Sequence, residues 1–196
     1  TLSSSIGKKL VMALTGLGLG AFLISHLAGN LTVYAGRSTF NSYAERLHSL
    51  GFLLKLAELG LLLMAVVHIV TGSYLFYENF RARPERYLMK KNSGGRSISS
   101  ATMPYTGFLI LFFIILHLID FHFVDKADKT IYQIILHTFS SARYSIFYIL
   151  SMVIVAIHVD HGLWSLFQTI GINNLENQSL IRTMSTILAL IVGIGF

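Results

Sequence analysis

The chain has 196 residues, 54% of them hydrophobic and 12% charged, with a formal net charge of +6 and no cysteine. Soluble domains carry roughly 25% charged residues, so this composition argues against a water-soluble fold. The absence of cysteine excludes disulfides, iron–sulfur ligation and Cys-x-x-Cys-His haem attachment by this chain, and no basic face interleaved with aromatics points to nucleic acid.

Charges cluster rather than spread. None lies between Lys9 and Arg37, Glu58 and Glu78, Arg96 and Asp120, Arg143 and Asp160, or after Arg182. A membrane-spanning helix needs about 20 mainly apolar residues, and these gaps supply several. The expected fold is an all-α membrane protein, a single domain over residues 1–196. It has five transmembrane helices at about 9–34, 51–80, 103–123, 144–169 and 180–196.

The first span follows Lys8 and Lys9. It lacks a small-x-small cleavage site, and cleavage would discard His26, so it is read as a retained helix rather than a signal peptide. Gly16, Gly18, Gly20 and Gly29 leave room for a neighbouring helix or for a flat macrocycle. The polar connection at 37–50 predicts a short interfacial helix, capped by Ser38 or Thr39 and running through Ala44 and Leu47. Lys55 and Glu58 stand one turn apart at the start of the second span and are expected to pair.

The next connection, 81–100, carries Arg81, Arg83, Arg86, Lys90, Lys91 and Arg96 against Glu85, with Pro84 and Gly94-Gly95 keeping it irregular. The positive-inside rule places this loop and the N-terminus in the cytoplasm. Residues 125–143 are then outside, and 173–178 form a polar turn. The fifth span carries no histidine and is expected to stand outside the haem-binding core.

Four histidines, one on each of the first four spans, organise the chain. His26 and His117 are 91 positions apart, and His68 and His158 are 90 apart. Thr15-Gly16 stands ten residues before His26 and Thr106-Gly107 ten before His117; His68 and His158 are each followed four residues later by a glycine, Gly72 and Gly162. This is an internal repeat of two-helix units. An ionisable group inside a span is costly and marks function.

Helices rise about 1.5 Å per residue, which places His26 and His117 about 12 Å from the outer end and His68 and His158 about 22–26 Å from it. In an up-down-up-down bundle the first and third spans are diagonal, as are the second and fourth. Each layer therefore opposes two neutral imidazoles across the core. That suits a six-coordinate, electron-carrying haem iron and leaves no open position for oxygen. Zinc or di-iron centres call for more ligands or for carboxylates at i, i+3 spacing. The first four spans are thus expected to form a haem-binding bundle. His48, His122 and His137 read as interfacial and solvated. His161 and Asp160, beside His158, are expected near a haem propionate or at the cytoplasmic end of the helix.

These residues resemble the di-haem cytochrome b membrane-anchor subunit of menaquinone-linked succinate dehydrogenases and fumarate reductases. The carriers are Thr15-Gly16 through His26-Leu27-Ala28-Gly29-Asn30-Leu31, Ala57-Glu58-Leu59-Gly60 up to His68, Thr106-Gly107 to His117, and His158-Val159-Asp160-His161-Gly162-Leu163-Trp164 on to Thr169. The resemblance covers nearly the whole chain. It implies two haem b groups, a distal one on His26 and His117 and a proximal one on His68 and His158. It also implies an iron–sulfur subunit on the cytoplasmic face of a bacterial inner membrane, a flavoprotein bearing the dicarboxylate site beyond it, and menaquinone as redox partner near the distal haem. Asn30, Glu45, His48 and Glu58 are the quinone-site candidates by depth and chemistry. Some members of that family carry a glutamate two positions before the fourth haem ligand; here the position is Ala156, and a proton path there is not carried over. A haem b subunit of a hydrogenase or formate dehydrogenase, and a haem-free anchor or transporter, are the competing readings. The cytochrome b of bc-type complexes is disfavoured, because it sets two ligands on each of two helices.

Overall fold

A computed structural model describes residues 4–82, 98–172 and 176–196. The described residues form helices and turns, and five of the helices are long and apolar enough to cross a membrane. The protein is a multi-pass membrane protein.

α1 (Ser5–Leu31) starts where the Ser4 hydroxyl accepts from the Gly7 N–H at 3.1 Å. It tightens into a 3-10 turn (Thr32–Ala35) and stops at Gly36, whose φ of 94° redirects the chain. α2 (Arg37–Ser49) follows directly. Neither Ser38 nor Thr39 caps it: Gly36 occupies the N-cap without a side-chain bond, and the Thr39 hydroxyl reaches back to the Ala35 carbonyl. Gly51, with φ 53°, launches α3 (Phe52–Arg81). Lys55 and Glu58 do not form an ion pair. The ion pairs among the described residues are Lys8–Glu78 and Arg182–Asp160. The first, at 2.7 Å, ties the start of α1 to the end of α3. The basic segment from Arg83 to Arg96 lies outside the described residues.

α4 (Ile98–His117) continues into a π-helical turn (Leu118–His122), closed by the Phe123 N–H on the Leu118 carbonyl at 2.9 Å. The stretch 125–143, to which the sequence assigned no helix, holds one, α5 (Ile131–Phe139), opened by a Thr130/Gln133 capping box. α6 (Ala142–Thr169) recrosses, Gly171 turns the chain at φ 77°, and α7 (Gln178–Gly195) follows.

α1, α3, α4 and α6 form the bundle. α1 packs on α3 and α6, and α4 on α6; α3 meets α4 least, so that side is nearly open. α7 is not apart from the bundle. It makes its most extensive packing on α6 and also touches α1. Its buried residues Ile181, Ser185, Ala189 and Val192 make one stripe. Small residues allow this approach: a Cβ on Gly193 would fall 2.7 Å from that of Ala156. Position 156 therefore lacks both an acid and the space for one.

α2 and α5 cover one end of the bundle, with Phe40 and Ile134 buried between them. There the ring of Phe40 lies 6.4 Å from those of Tyr43 and Tyr132, and the Tyr132 N–H meets the Asn41 side-chain carbonyl at 3.4 Å. This is the capped end; the Lys8–Glu78 pair marks the other.

Candidate functional site

The four histidines come together as two pairs. His68 and His158 face each other with ring centroids 6.5 Å apart and planes at 67°. His26 and His117 do so at 5.9 Å and 83°, nearer the capped end. The eleven residues from Thr15 to His26, or from Thr106 to His117, separate the levels by about 16 Å.

The pair formed by His68 and His158 is held by hydroxyls. Thr15 Oγ1 lies 3.0 Å from His68 Nδ1, and Thr106 Oγ1 lies 3.1 Å from His158 Nδ1. Each threonine also donates to its own helix: Thr15 to the Val11 carbonyl at 2.8 Å, Thr106 to that of Met103 at 3.0 Å. The neighbouring glycines supply clearance. A Cβ on Gly16 would stand 3.3 Å from His68 Cε1, and one on Gly107 3.5 Å from His158 Cε1. The repeat therefore works across helices: the Thr-Gly step on α1 serves the histidine of α3, and that on α4 serves the histidine of α6.

The pair formed by His26 and His117 is walled by rings. His26 stacks on Phe22 at 5.3 Å and faces Phe196 at 5.5 Å; His117 lies 5.3 Å from Phe121, 5.6 Å from Phe113 and 6.2 Å from Tyr148. His117 Nδ1 is buried with no hydrogen-bond partner. His26 Nε2 accepts from the Asn30 amide at 3.3 Å, a long bond. Next to this pair the Tyr148 hydroxyl donates to Asp120 Oδ2 at 2.8 Å. The π-helical turn that carries Asp120 and Phe121 brings both residues against α6.

What fits between the rings follows from their spacing. Metal–imidazole bonds of about 2.0–2.1 Å on both sides of one ion put the two ring centroids roughly 6.2–6.4 Å apart. Both observed separations lie within a few tenths of an ångström of that. Among the described residues no three His, Asp or Glu side chains gather as metal ligands. Two imidazoles would supply only part of a metal's ligand set, and a porphyrin would supply the rest. The pair of His68 and His158 fits in spacing, with each Nδ1 turned to a threonine. The pair of His26 and His117 fits in spacing, and ligation through His26 Nε2 requires the Asn30 amide to turn aside.

The remaining candidates are scattered. Glu45 and His48 line a cavity of about 210 Å³ together with Asn41, Lys126 and Lys129. His48 commits Nδ1 to the Ala44 carbonyl at 2.7 Å, which leaves Nε2 for another partner. Glu58 stands exposed on α3, away from that cavity. Asp120, His137 and Tyr144 line a larger cavity of about 470 Å³, open at the capped end. Asp160 faces neither bulk water nor a histidine pair. It accepts from Ser99 at 2.9 Å, Arg182 at 2.8 Å and Thr186 at 2.9 Å, which ties α4 and α7 to α6. His161 Nδ1 is buried without a partner.

Sequence reasoning named Thr15 and Thr106 only as landmarks of the repeat, and it missed Asp120, Tyr148 and Arg182. The spacing of Thr15 and His68, 53 residues on a neighbouring helix, gives no local signal.

The fold and paired histidines define a membrane bundle with two opposed-imidazole sites. The chain is similar to the succinate dehydrogenase cytochrome b558 subunit of Bacillus subtilis (strain 168), at 26% identity over 175 residues, covering 87% of this chain and 82% of that protein. No family model matches the chain, and no solved structure matches it.

Proposed function

We propose that the chain is the membrane-anchor cytochrome b subunit of a succinate:quinone oxidoreductase, a succinate dehydrogenase or fumarate reductase. It would carry electrons between a membrane quinone, menaquinone by the resemblance, and the iron–sulfur and flavoprotein subunits. The observation that carries the reading is the pair of opposed imidazole sites, at 5.9 and 6.5 Å, on alternate spans. The named relative supports the same enzyme class.

Haem b bound at each pair supplies one-electron carriage. The residues of the chain do the rest. His68 and His158 would hold one iron and His26 and His117 the other, which would leave oxygen no free coordination site. The aromatic wall around His26 and His117 keeps water from that iron and accommodates the apolar faces of a macrocycle. The chain sets the two histidine levels about 16 Å apart, so groups bound there would span much of a hydrocarbon core about 30 Å thick.

Quinone chemistry needs a polar group that exchanges protons near the capped end. Glu45 and His48 serve there, since His48 Nε2 is left to take a proton from a quinol. Asn30 is the polar group beside the outer haem ligand. Glu58 is the least favoured candidate because it sits apart on α3. The end marked by Lys8 and Glu78 is the cytoplasmic face of a bacterial inner membrane, where the iron–sulfur subunit docks.

Reduced-minus-oxidised spectra and a haemochrome count on the purified chain test this directly. Two haems per chain are expected, and succinate-linked quinone reduction is expected once the chain is assembled with its soluble partners. A colourless preparation ends the reading.

A further inference from the structure

We infer that Thr15 and Thr106 are positioning residues that fix the tautomer and the ring plane of His68 and His158, an assignment that rests on the haem reading above. A threonine hydroxyl has one proton and two lone pairs. Inside an apolar helix that proton goes to the carbonyl three or four residues back. Both threonines make this bond, at 2.8 Å to Val11 and 3.0 Å to Met103. Each oxygen is then left only as an acceptor. The imidazole nitrogen at 3.0 or 3.1 Å must be the donor, so Nδ1 carries the hydrogen.

The consequence is at the opposite side of the ring. With Nδ1 protonated in a neutral imidazole, Nε2 keeps its lone pair and is the atom able to ligate. The same bond stops rotation about the Cβ–Cγ axis, which holds the two planes at 67°. The adjacent glycines admit the rings at van der Waals distance. A metal-ligating histidine ordinarily donates its second nitrogen to a carboxylate or carbonyl. A neutral hydroxyl is a weaker acceptor and leaves the ligand less basic, the more so at His158, since the Met12 backbone carbonyl also lies within reach of His68. The arrangement occurs twice, on different helices, in both copies of the repeat. The pair formed by His26 and His117 has no counterpart, since His117 Nδ1 is without a partner and His26 engages Asn30 through Nε2. The two haems are therefore held differently: one in a locked orientation, the other among aromatic rings.

The test uses the full chain in its complex, with Thr15→Val, Thr106→Val, and the serine variants Thr15→Ser and Thr106→Ser. Haem count, low-spin EPR anisotropy and the midpoint potential of each haem are read. Anisotropy follows the angle between axial ring planes, and the potential follows ligand basicity. The valine variants are expected to shift the EPR line and potential of the haem on His68 and His158, or to lose that haem alone, and to leave the other unchanged. The serine variants are expected to restore the wild-type signature. An unchanged signature in both valine variants overturns the assignment. So does a shift confined to the haem on His26 and His117, or a serine variant that behaves like valine. A colourless wild-type complex overturns the haem reading itself, and the two failures are told apart by that control.

Discussion

The two histidine pairs are built from the same repeat, yet their surroundings differ in kind. At His68 and His158 each ring is pinned by a hydroxyl from the neighbouring helix. At His26 and His117 the rings are surrounded by Phe22, Phe113, Phe121, Tyr148 and Phe196, and the nearest polar groups are Asn30 and the Tyr148–Asp120 pair. Hydrogen bonds impose direction; aromatic contacts impose shape and exclude water. The first site fixes orientation. The second tolerates adjustment, and it lies toward the end where the cavities open.

The largest expected effect comes from deleting a ligand. His158→Ala should lower the haemochrome count from two to one per chain, and the remaining spectrum should be that lost in His117→Ala. Loss of both haems from each variant, or of neither, would break the division into two sites.

Asp160→Leu comes next. It leaves Arg182 without its anion and removes acceptors from Ser99 and Thr186. Stripping one partner from a buried pair costs about 3–5 kcal/mol. The Arg182 side chain is 38% exposed, so about 2 kcal/mol is the reasonable figure with that exposure. Thermal unfolding followed by haem absorbance measures it. An unchanged midpoint would mean that α7 is held by its apolar stripe alone.

The glycines sharpen the comparison within one site. Gly16→Ala sets a Cβ 3.3 Å from His68 Cε1, whereas Gly107→Ala sets one at 3.5 Å from its counterpart. The first should move the EPR line of that haem and the second should leave it nearly unchanged. Equal shifts would show that both rings are equally confined.

Tyr148→Phe should be the smallest change. It removes the bond to the partly exposed Asp120 carboxylate, worth about 1.5 kcal/mol, the low end for a charged acceptor. Any spectral effect should be confined to the haem on His26 and His117, as read by its midpoint potential. A shift at the other haem would contradict the separation of the two environments.

Much of this was legible in the sequence. Five charge-free stretches gave the five spans, and counting depth from their edges paired His26 with His117 and His68 with His158 by level, as the rings now lie. Other features were legible but passed over. Thr130 and Gln133 form a capping box ahead of an apolar run, the ordinary sign of a helix start, yet no helix was assigned there. What the sequence does not display is contact between helices. Asp160 and Arg182 stand 22 residues apart on two spans, so their pairing depends on how α7 packs. The seat of α7 was hidden for the same reason: it lacks a histidine, and only the structure shows its small residues fitting closely against Ala156. The π-helical turn after His117 has no signature in residues 118–122 that we can identify.

The Thr-Gly steps have a further implication for assembly. α1 with α3 is one hairpin and α4 with α6 another, and each finishes the support of its own inner histidine. Neither hairpin owns a complete pair, however: each contributes one half of both. A newly inserted first hairpin would hold its ligands ready and bind iron on one side only. A porphyrin bound as proposed would fasten the two halves along the side where α3 and α4 barely meet, adding to the seam that α1 and α7 already make with α6.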